Sequence, residues 1–341
     1  MEEGIGLRIA IDAMGGDLAP EEAVKGALEA AAEWPDTTFV LVGDEGRVRP
    51  LLRGQTPPNV ELRHAAETIE ADDEPVRAVR RKKDSSMVVA ARMVKEGEAD
   101  AMLSAGNTGA LMAAGLLVVG RIPGVDRPAL AQTIPSSDDV GVLALDLGAN
   151  VDARPEHLHM YAVMGSLYRK LVHGMERPSV GLLNIGTEEG KGTELAKEAY
   201  DLLSNEPGIH FTGNVEARDV LQRRCDVLVC DGFSGNIMLK AFEGAAALIM
   251  GELKNAFAKS ALTKLAAAAV MPGLKGIRRK MDYKEYGGAP LLGLAGVVVK
   301  CHGSSDARAF RNGIRQARDA VRHGLIRAIA DHISGKEGAG G

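Results

Sequence analysis

The sequence predicts an α/β fold, three layers built on a mostly parallel sheet, and three observations carry that expectation. Short β-branched and apolar runs recur from one end of the chain to the other, amphipathic stretches separate them, and nearly every run ends in a loop of Gly, Asn, Asp, Ser or Thr. Apolar runs without polar alternation mark strands buried on both faces, and their alternation with helices is the βαβ pattern. In chain order the strands are expected at residues 8–11, 39–42, 101–103, 142–145, 180–183, 227–229 and 297–299. Helices with helix-compatible apolar spacing are expected at 20–33, 87–96, 156–171 and 194–203, and a last one, rich in arginine, at about 306–333.

At 341 residues the chain can hold one large core or two ordinary ones. No Pro/Ser-rich linker, charge block or fixed-period repeat divides it, so one domain is expected over 1–334, followed by a disordered Gly-rich tail at 335–341. A net charge of -5 with 4% aromatic residues gives neither the field nor the stacking surface that nucleic-acid binding needs. The acidic start, Met1-Glu2-Glu3-Gly4, lacks the basic and apolar regions of a signal peptide, and no apolar run approaches the ~18 residues of a membrane span. A cytoplasmic protein is expected. Three cysteines, Cys225, Cys230 and Cys301, make no disulfide framework and lack zinc-ligand spacing, so no metal is expected.

Function is concentrated in the loops, because open α/β sheets bind ligands outside the carboxyl ends of their strands. The first loop holds Asp12, Gly15, Gly16 and Asp17. Its paired glycines form either a nest of N–H groups for an anion or a tight turn into the next helix. Ser104, Asn107 and Thr108 follow the third strand at a helix start, where unpaired N–H groups suit phosphate, or where Asn107 or Thr108 simply caps the helix. Asp146 to Asn150 repeats the arrangement, with Asp146 orienting its neighbours. The loop with Asn184, Gly186, Thr187 and Lys191 resembles a P-loop, but three residues rather than four separate Gly186 from Gly190. Lys191 is either a point charge for phosphate or a solvated lysine. Asp231, Ser234, Gly235 and Asn236, then His302 and Ser304, complete the set. Adjacent strand residues face opposite ways, so Cys301 and His302 do not form a dyad, and Ser234 lacks a nucleophile elbow. With no dinucleotide fingerprint, these loops favour an anion that is itself the nucleophile.

In order and wording the six loops resemble the PlsX family of acyl-(acyl-carrier-protein):phosphate acyltransferases, over about residues 7–333. The resemblance implies that inorganic phosphate attacks the thioester of long-chain acyl carrier protein, giving acyl phosphate and free carrier for phospholipid synthesis, without a cofactor. It implies a fold similar to phosphotransacetylases and isocitrate/isopropylmalate dehydrogenase-type proteins, a homodimer, and a downstream glycerol-3-phosphate acyltransferase that takes the product. It also makes Lys191, Asn236 and His302 the expected catalytic residues, with Asn107 and Asn184 beside them. Rival readings are a phosphotransacetylase-like enzyme on short acyl-coenzyme A, a metal-dependent dehydrogenase using Asp231 or Asp306, and a non-catalytic scaffold for the carrier.

Between about 242 and 286 the βα rhythm gives way to two helical patterns around an apolar stretch ending in Pro272-Gly273, expected to be a protruding hairpin. Its composition suits a dimerisation arm, an acidic partner or a membrane surface. The resemblance assigns Lys275, Arg278, Arg279 and Lys280 to carrier docking, and Val270 and Met271 to weak peripheral attachment at the inner face of the membrane.

Overall fold

A computed structural model describes residues 6–52, 56–138, 140–260, 263, 267, 270, 273 and 287–337. Its strands are β1 (Leu7–Asp12), β2 (Thr37–Gly43), β3 (Val60–His64), β4 (Ala101–Ser104), β5 (Ala129–Leu130), β6 (Gln132–Ile134), β7 (Val142–Leu145), β8 (Ser179–Asn184), β9 (His210–Glu216), β10 (Val227–Val229), β11 (Ala289–Leu292) and β12 (Val297–Lys300). The α-helices are α1 (Glu21–Glu33), α2 (Glu45–Val48), α3 (Pro75–Arg81), α4 (Ser86–Glu96), α5 (Thr108–Ala114), α6 (Pro155–Val172), α7 (Glu194–Ser204), α8 (Ala217–Val220), α9 (Gly232–Ala258), α10 (Ala307–Arg322) and α11 (Leu325–Glu337). All seven strands expected from the sequence form.

The strands make two sheets, where the sequence suggested one. The first has the order β3-β2-β1-β4-β12-β11-β5 and the second β6-β7-β10-β8-β9. Within them, β3-β2-β1-β4-β12 and β7-β10-β8-β9 are parallel, while β11, β5 and β6 pair antiparallel. The division falls at Ala131. Leu130 pairs with Leu291 of the first sheet, and Gln132 pairs with Ala144 of the second.

Successive residues of β1 face opposite layers, as burial on both faces requires. Ile9 and Ile11 join one group of buried side chains that also holds Leu145, Val180 and Val229 of the second sheet, with Tyr161 of α6 and Ile314 of α10. Ala10 points into another, with Met87 and Ala90 of α4 and Leu111 of α5. A third group sets Ala144 and Leu228 of the second sheet against Met238 of α9. Helices therefore cover both faces of both sheets.

The expected last helix is two. Gly324 takes a left-handed conformation (φ 63°), and its N–H closes on the Val321 carbonyl. This is the ordinary glycine end of a helix, which the apolar pattern conceals because it resumes at Leu325. The arginines of α10 serve the fold: Arg318 and Arg322 both pair with Asp36, and Arg318 lies over the Trp34 ring. Helix α11 continues through Gly335, Lys336 and Glu337, three residues into the expected tail; 338–341 lie outside the described residues.

Helix α9 starts ten residues before the expected arm. The carrier-docking residues Lys275, Arg278, Arg279 and Lys280, together with Met271, lie outside the described residues. Val270 is helical and 50% exposed, and Gly273, where the sequence suggested a turn, is also helical. Glycine permits a turn without compelling one. Among the described residues, no helix is long and apolar enough to cross a membrane.

Candidate active site

Parallel pairing places the six loops. Strands β1, β4 and β12 are parallel neighbours, so the loops after Asp12, Ser104 and Lys300 open on one edge of the first sheet. Strands β7, β10 and β8 are likewise parallel neighbours, so the loops after Leu145, Val229 and Asn184 open on one edge of the second. Six separate sequence motifs thus become two groups of three.

In the first group the buried Asp12 carboxylate accepts from the Ser104 hydroxyl at 2.5 Å and from the Met14 N–H at 3.1 Å. Burial pushes its pKa up, opposed by the hydroxyls of Ser104 and Ser86 and by backbone N–H groups. Gly16 (φ 103°) turns the chain so that the Asp17 N–H reaches the Gly303 carbonyl at 2.8 Å, tying the first loop to the last. Asn107 caps α5 by accepting from the Ala110 N–H at 3.0 Å, and its amide nitrogen reaches the Ala71 carbonyl at 3.0 Å. His302 and Ser304 bond to each other, Nδ1 to Oγ at 2.9 Å. Burial and the nearby Lys300 ammonium lower the His302 pKa, so its imidazole is neutral at neutral pH.

The second group is organised by Asp146, which is fully buried. One carboxylate oxygen accepts from the Leu130 and Ala149 N–H groups, each at 3.0 Å. The other accepts from the Asn150 N–H at 2.6 Å and side-chain amide at 3.0 Å. The Asn150 amide also reaches the Pro128 carbonyl at 2.7 Å and the Tyr161 hydroxyl at 3.0 Å. Asp231 caps α9 by accepting from the Ser234 N–H at 2.8 Å. Asn184 folds its own loop, donating to the Lys191 carbonyl at 3.0 Å while accepting from the Ile185 N–H at 2.8 Å. Gly235 is packed so closely on the Asp146 carbonyl that a Cβ would overlap it. The next residue, Asn236, sits near the start of α9 and lies against Gly148, on the loop that follows β7.

The sequence-derived candidates therefore divide by what their polar groups already do. Asp12, Ser104, Asn107, Asn150, Asn184 and Asp231 are engaged in holding loops. By contrast, the Lys191 ammonium, the Asn236 amide and the hydroxyls of Thr108, Thr187 and Ser234 have no hydrogen-bond partner among the described residues, and Lys191, Asn236, Thr108, Thr187 and Ser234 are all exposed. Lys191 and Asn236 follow the neighbouring strands β8 and β10. Gly186 and the Lys191 stem are close, since a Cβ on Gly186 would stand 3.2 Å from Lys191 Cγ. Lys240 and Glu243 of α9 contribute to the electrostatic surroundings of His302, in the first group of loops.

Sequence reasoning missed Lys300. Its ammonium donates to the Cys301 carbonyl and reaches the Ala105 carbonyl at 3.4 Å, joining two loops of the first group. Burial lowers its pKa, against the attraction of Asp12 and Asp17. The available signal was a lysine closing a run of three valines in the last strand. The thiols are a different matter: burial raises Cys225 and Cys301 to about 12 and Cys230 well above its ordinary value, so none is a ready nucleophile. Among the described residues, no group of three or more His, Cys, Asp or Glu could hold a metal ion.

An α/β protein with polar loops gathered at the carboxyl ends of its parallel strands, and a free ammonium among them, is built to handle an anionic group. Its fold is shared with a phosphotransacetylase from Streptococcus pyogenes, at a TM-score of 0.62 with 17% identity over 94% of this chain and 95% of that one. It is shared also with the EutD phosphotransacetylase from Staphylococcus aureus, at 0.58 with 18% identity over 92% and 94%. Residues 7–328 match the family described as "Fatty acid synthesis protein", and the chain belongs to that family. The phosphate acyltransferase of Geobacillus thermodenitrificans is 57% identical over 323 residues, covering 95% of this chain and 98% of that protein. That of Brevibacillus brevis is 58% identical over 327 residues, covering 96% and 97%. Both relatives bear the name phosphate acyltransferase, in agreement with the family that the sequence resembles.

Proposed function

We propose that the protein is a phosphate acyltransferase that converts long-chain acyl carrier protein and inorganic phosphate to acyl phosphate and free carrier, for phospholipid synthesis. The observation that carries this reading is identity above 55% to phosphate acyltransferases across nearly the whole chain. A phosphate oxygen forms a bond to the thioester carbonyl carbon, and the resulting tetrahedral intermediate collapses with cleavage of the carbon–sulfur bond. The proton of hydrogen phosphate ends on the departing thiolate, which balances the reaction.

Lys191 holds the phosphate charge and Asn236 donates to the oxyanion, as befits free polar groups that follow neighbouring strands. His302 and Ser304 close the opposite side. Gly15, Gly16, Asp17, Thr108, Gly186, Thr187 and Ser234 contribute to phosphate binding. Asp12, Ser104, Asn107, Asn150, Asn184, Asp231 and Gly235 keep those loops in place.

In this reading residues 1–334 form one domain, and the protein is a cytoplasmic homodimer that attaches peripherally to the inner face of the membrane. The exposed Leu248, Ile249 and Leu253 of α9 support an arm that seeks an apolar partner. Lys275, Arg278, Arg279 and Lys280 dock the acidic carrier, Val270 and Met271 touch the membrane, and a glycerol-3-phosphate acyltransferase consumes the product.

The test is to incubate palmitoyl-acyl carrier protein with phosphate and trap acyl phosphate as a hydroxamate. Phosphate-dependent product is expected, reduced about 100- to 1,000-fold in Lys191→Ala and in Asn236→Ala, with melting temperatures unchanged. Near-normal rates in both variants would refute the site. Consumption of acetyl-coenzyme A in place of the carrier thioester would favour a phosphotransacetylase instead.

A further inference from the structure

A cavity lies away from the strand-end loops, at the amino ends of β8 and β9. It has a volume of about 340 Å³ and is lined by the last turns of α6, the segments leading into β8 and β9, and α11. Cavities of roughly 300–1,000 Å³ accommodate small organic molecules.

The charged lining is unbalanced. Lys170 and Arg177 reach it beside the imidazoles of His210 and His332, with Glu176 as the acidic member. Neither Lys170 nor Arg177 has an ion pair or hydrogen bond among the described residues. The nearby Glu206 carboxylate is buried and already engaged, bonding to His159 at 2.7 Å and accepting from the Gly208 N–H at 3.2 Å. Two lining residues also hold polar atoms without a partner among the described residues, the Ser166 hydroxyl and His210 Nδ1, both buried. Ser166 itself is 8% exposed. Buried polar groups are rarely left so, and a ligand or ordered water is the usual completion. Leu167 and Ile209 supply an apolar wall.

We propose that this cavity binds a small phosphate monoester, at a site separate from the phosphate used at the strand-end loops. Lysine and arginine together match the double charge of a phosphate monoester, arginine by its forked donors and lysine as a point charge. The hydroxyl and imidazole take further oxygens, and the apolar wall accepts a short carbon chain. Occupancy braces the starts of β8 and β9, the strand pair whose far end carries the Lys191 loop; there the Asn214 amide of β9 holds the Glu188 carbonyl at 2.8 Å.

Hexyl phosphate is the probe, followed by hydrogen exchange and calorimetry on the full chain. Protection from exchange is expected in residues 163–178 and 206–211. Lys170→Ala with Arg177→Ala should weaken that binding at least tenfold, while Lys191→Ala leaves it intact. Both replaced side chains are exposed, and the exchange measurement needs no variant at all. Protection confined to the strand-end loops, unchanged affinity in the double variant, or equally tight binding of hexanoate would each overturn the proposal.

Discussion

Replacing Asp146 by Asn changes one atom and should cost the protein heavily. All four groups around the carboxylate are N–H donors, two to each oxygen, so the site has no acceptor for a carboxyl proton or an amide N–H. Burial pushes the Asp146 pKa up, but these donors oppose that shift and fit only the ionised form. Asparagine puts an NH₂ where one oxygen stood and leaves two donors facing it. A buried donor without an acceptor costs about 1–3 kcal/mol, giving ~2–6 kcal/mol for the pair. An unfolding entropy of about 2.1 cal/mol/K per residue, taken over 341 residues, converts this to a melting-temperature drop of ~3–8 °C. Differential scanning calorimetry measures it directly. Asp231→Asn is the control: Asp231 makes a helix cap, which asparagine serves almost equally, and its shift should stay below about 1 °C. An Asp146→Asn protein melting within about 1 °C of the parent would refute the account of the second loop group.

Other expectations follow from the same geometry. Gly235→Ala forces α9 off the Asp146 carbonyl, so a loss of about 1–3 kcal/mol in urea unfolding is expected, with acyl transfer reduced through the displaced Asn236. Lys300→Met keeps the stem but removes the ammonium joining two loops. A fall of about tenfold in kcat/KM for phosphate, equivalent to about 1.4 kcal/mol, is expected; unchanged kinetics would deny Lys300 a positioning role. At Asp138, burial raises the pKa, but the Ser136 hydroxyl and the Arg223 guanidinium outweigh it and bring it down to about 2. Because the folded pKa lies below the ordinary 3.8, this carboxylate stabilises the fold above 3.8, and the benefit disappears as pH falls to about 2. Asp138→Asn should therefore be less stable at neutral pH and lose less stability across that acid window, as denaturation midpoints at each pH would report.

Seven strongly apolar strands, most of the longer helices between them and the polar loops at their carboxyl ends were legible in the sequence. Those features are written locally, in runs buried on both faces and in glycines where the chain turns. The sequence did not reveal β5, β6 and β11, which have two to four residues, nor β3 and β9, whose polar residues break any apolar run, nor that the chain changes sheets at Ala131. Strand pairing is a contact between distant segments, and only the folded chain shows it. The same holds within the site. The residues expected to bind phosphate were legible as residue types, but Asn107 turns its amide to carbonyls more than thirty residues away, whereas Asn236 has no such partner among the described residues. Lys300 read as the end of a strand until β12 was laid beside β4, where its ammonium meets the Ala105 carbonyl. Composition and spacing fix which polar groups stand at a strand end; tertiary packing decides which of them are already bonded and which remain for a ligand, because each group's partner comes from another part of the chain.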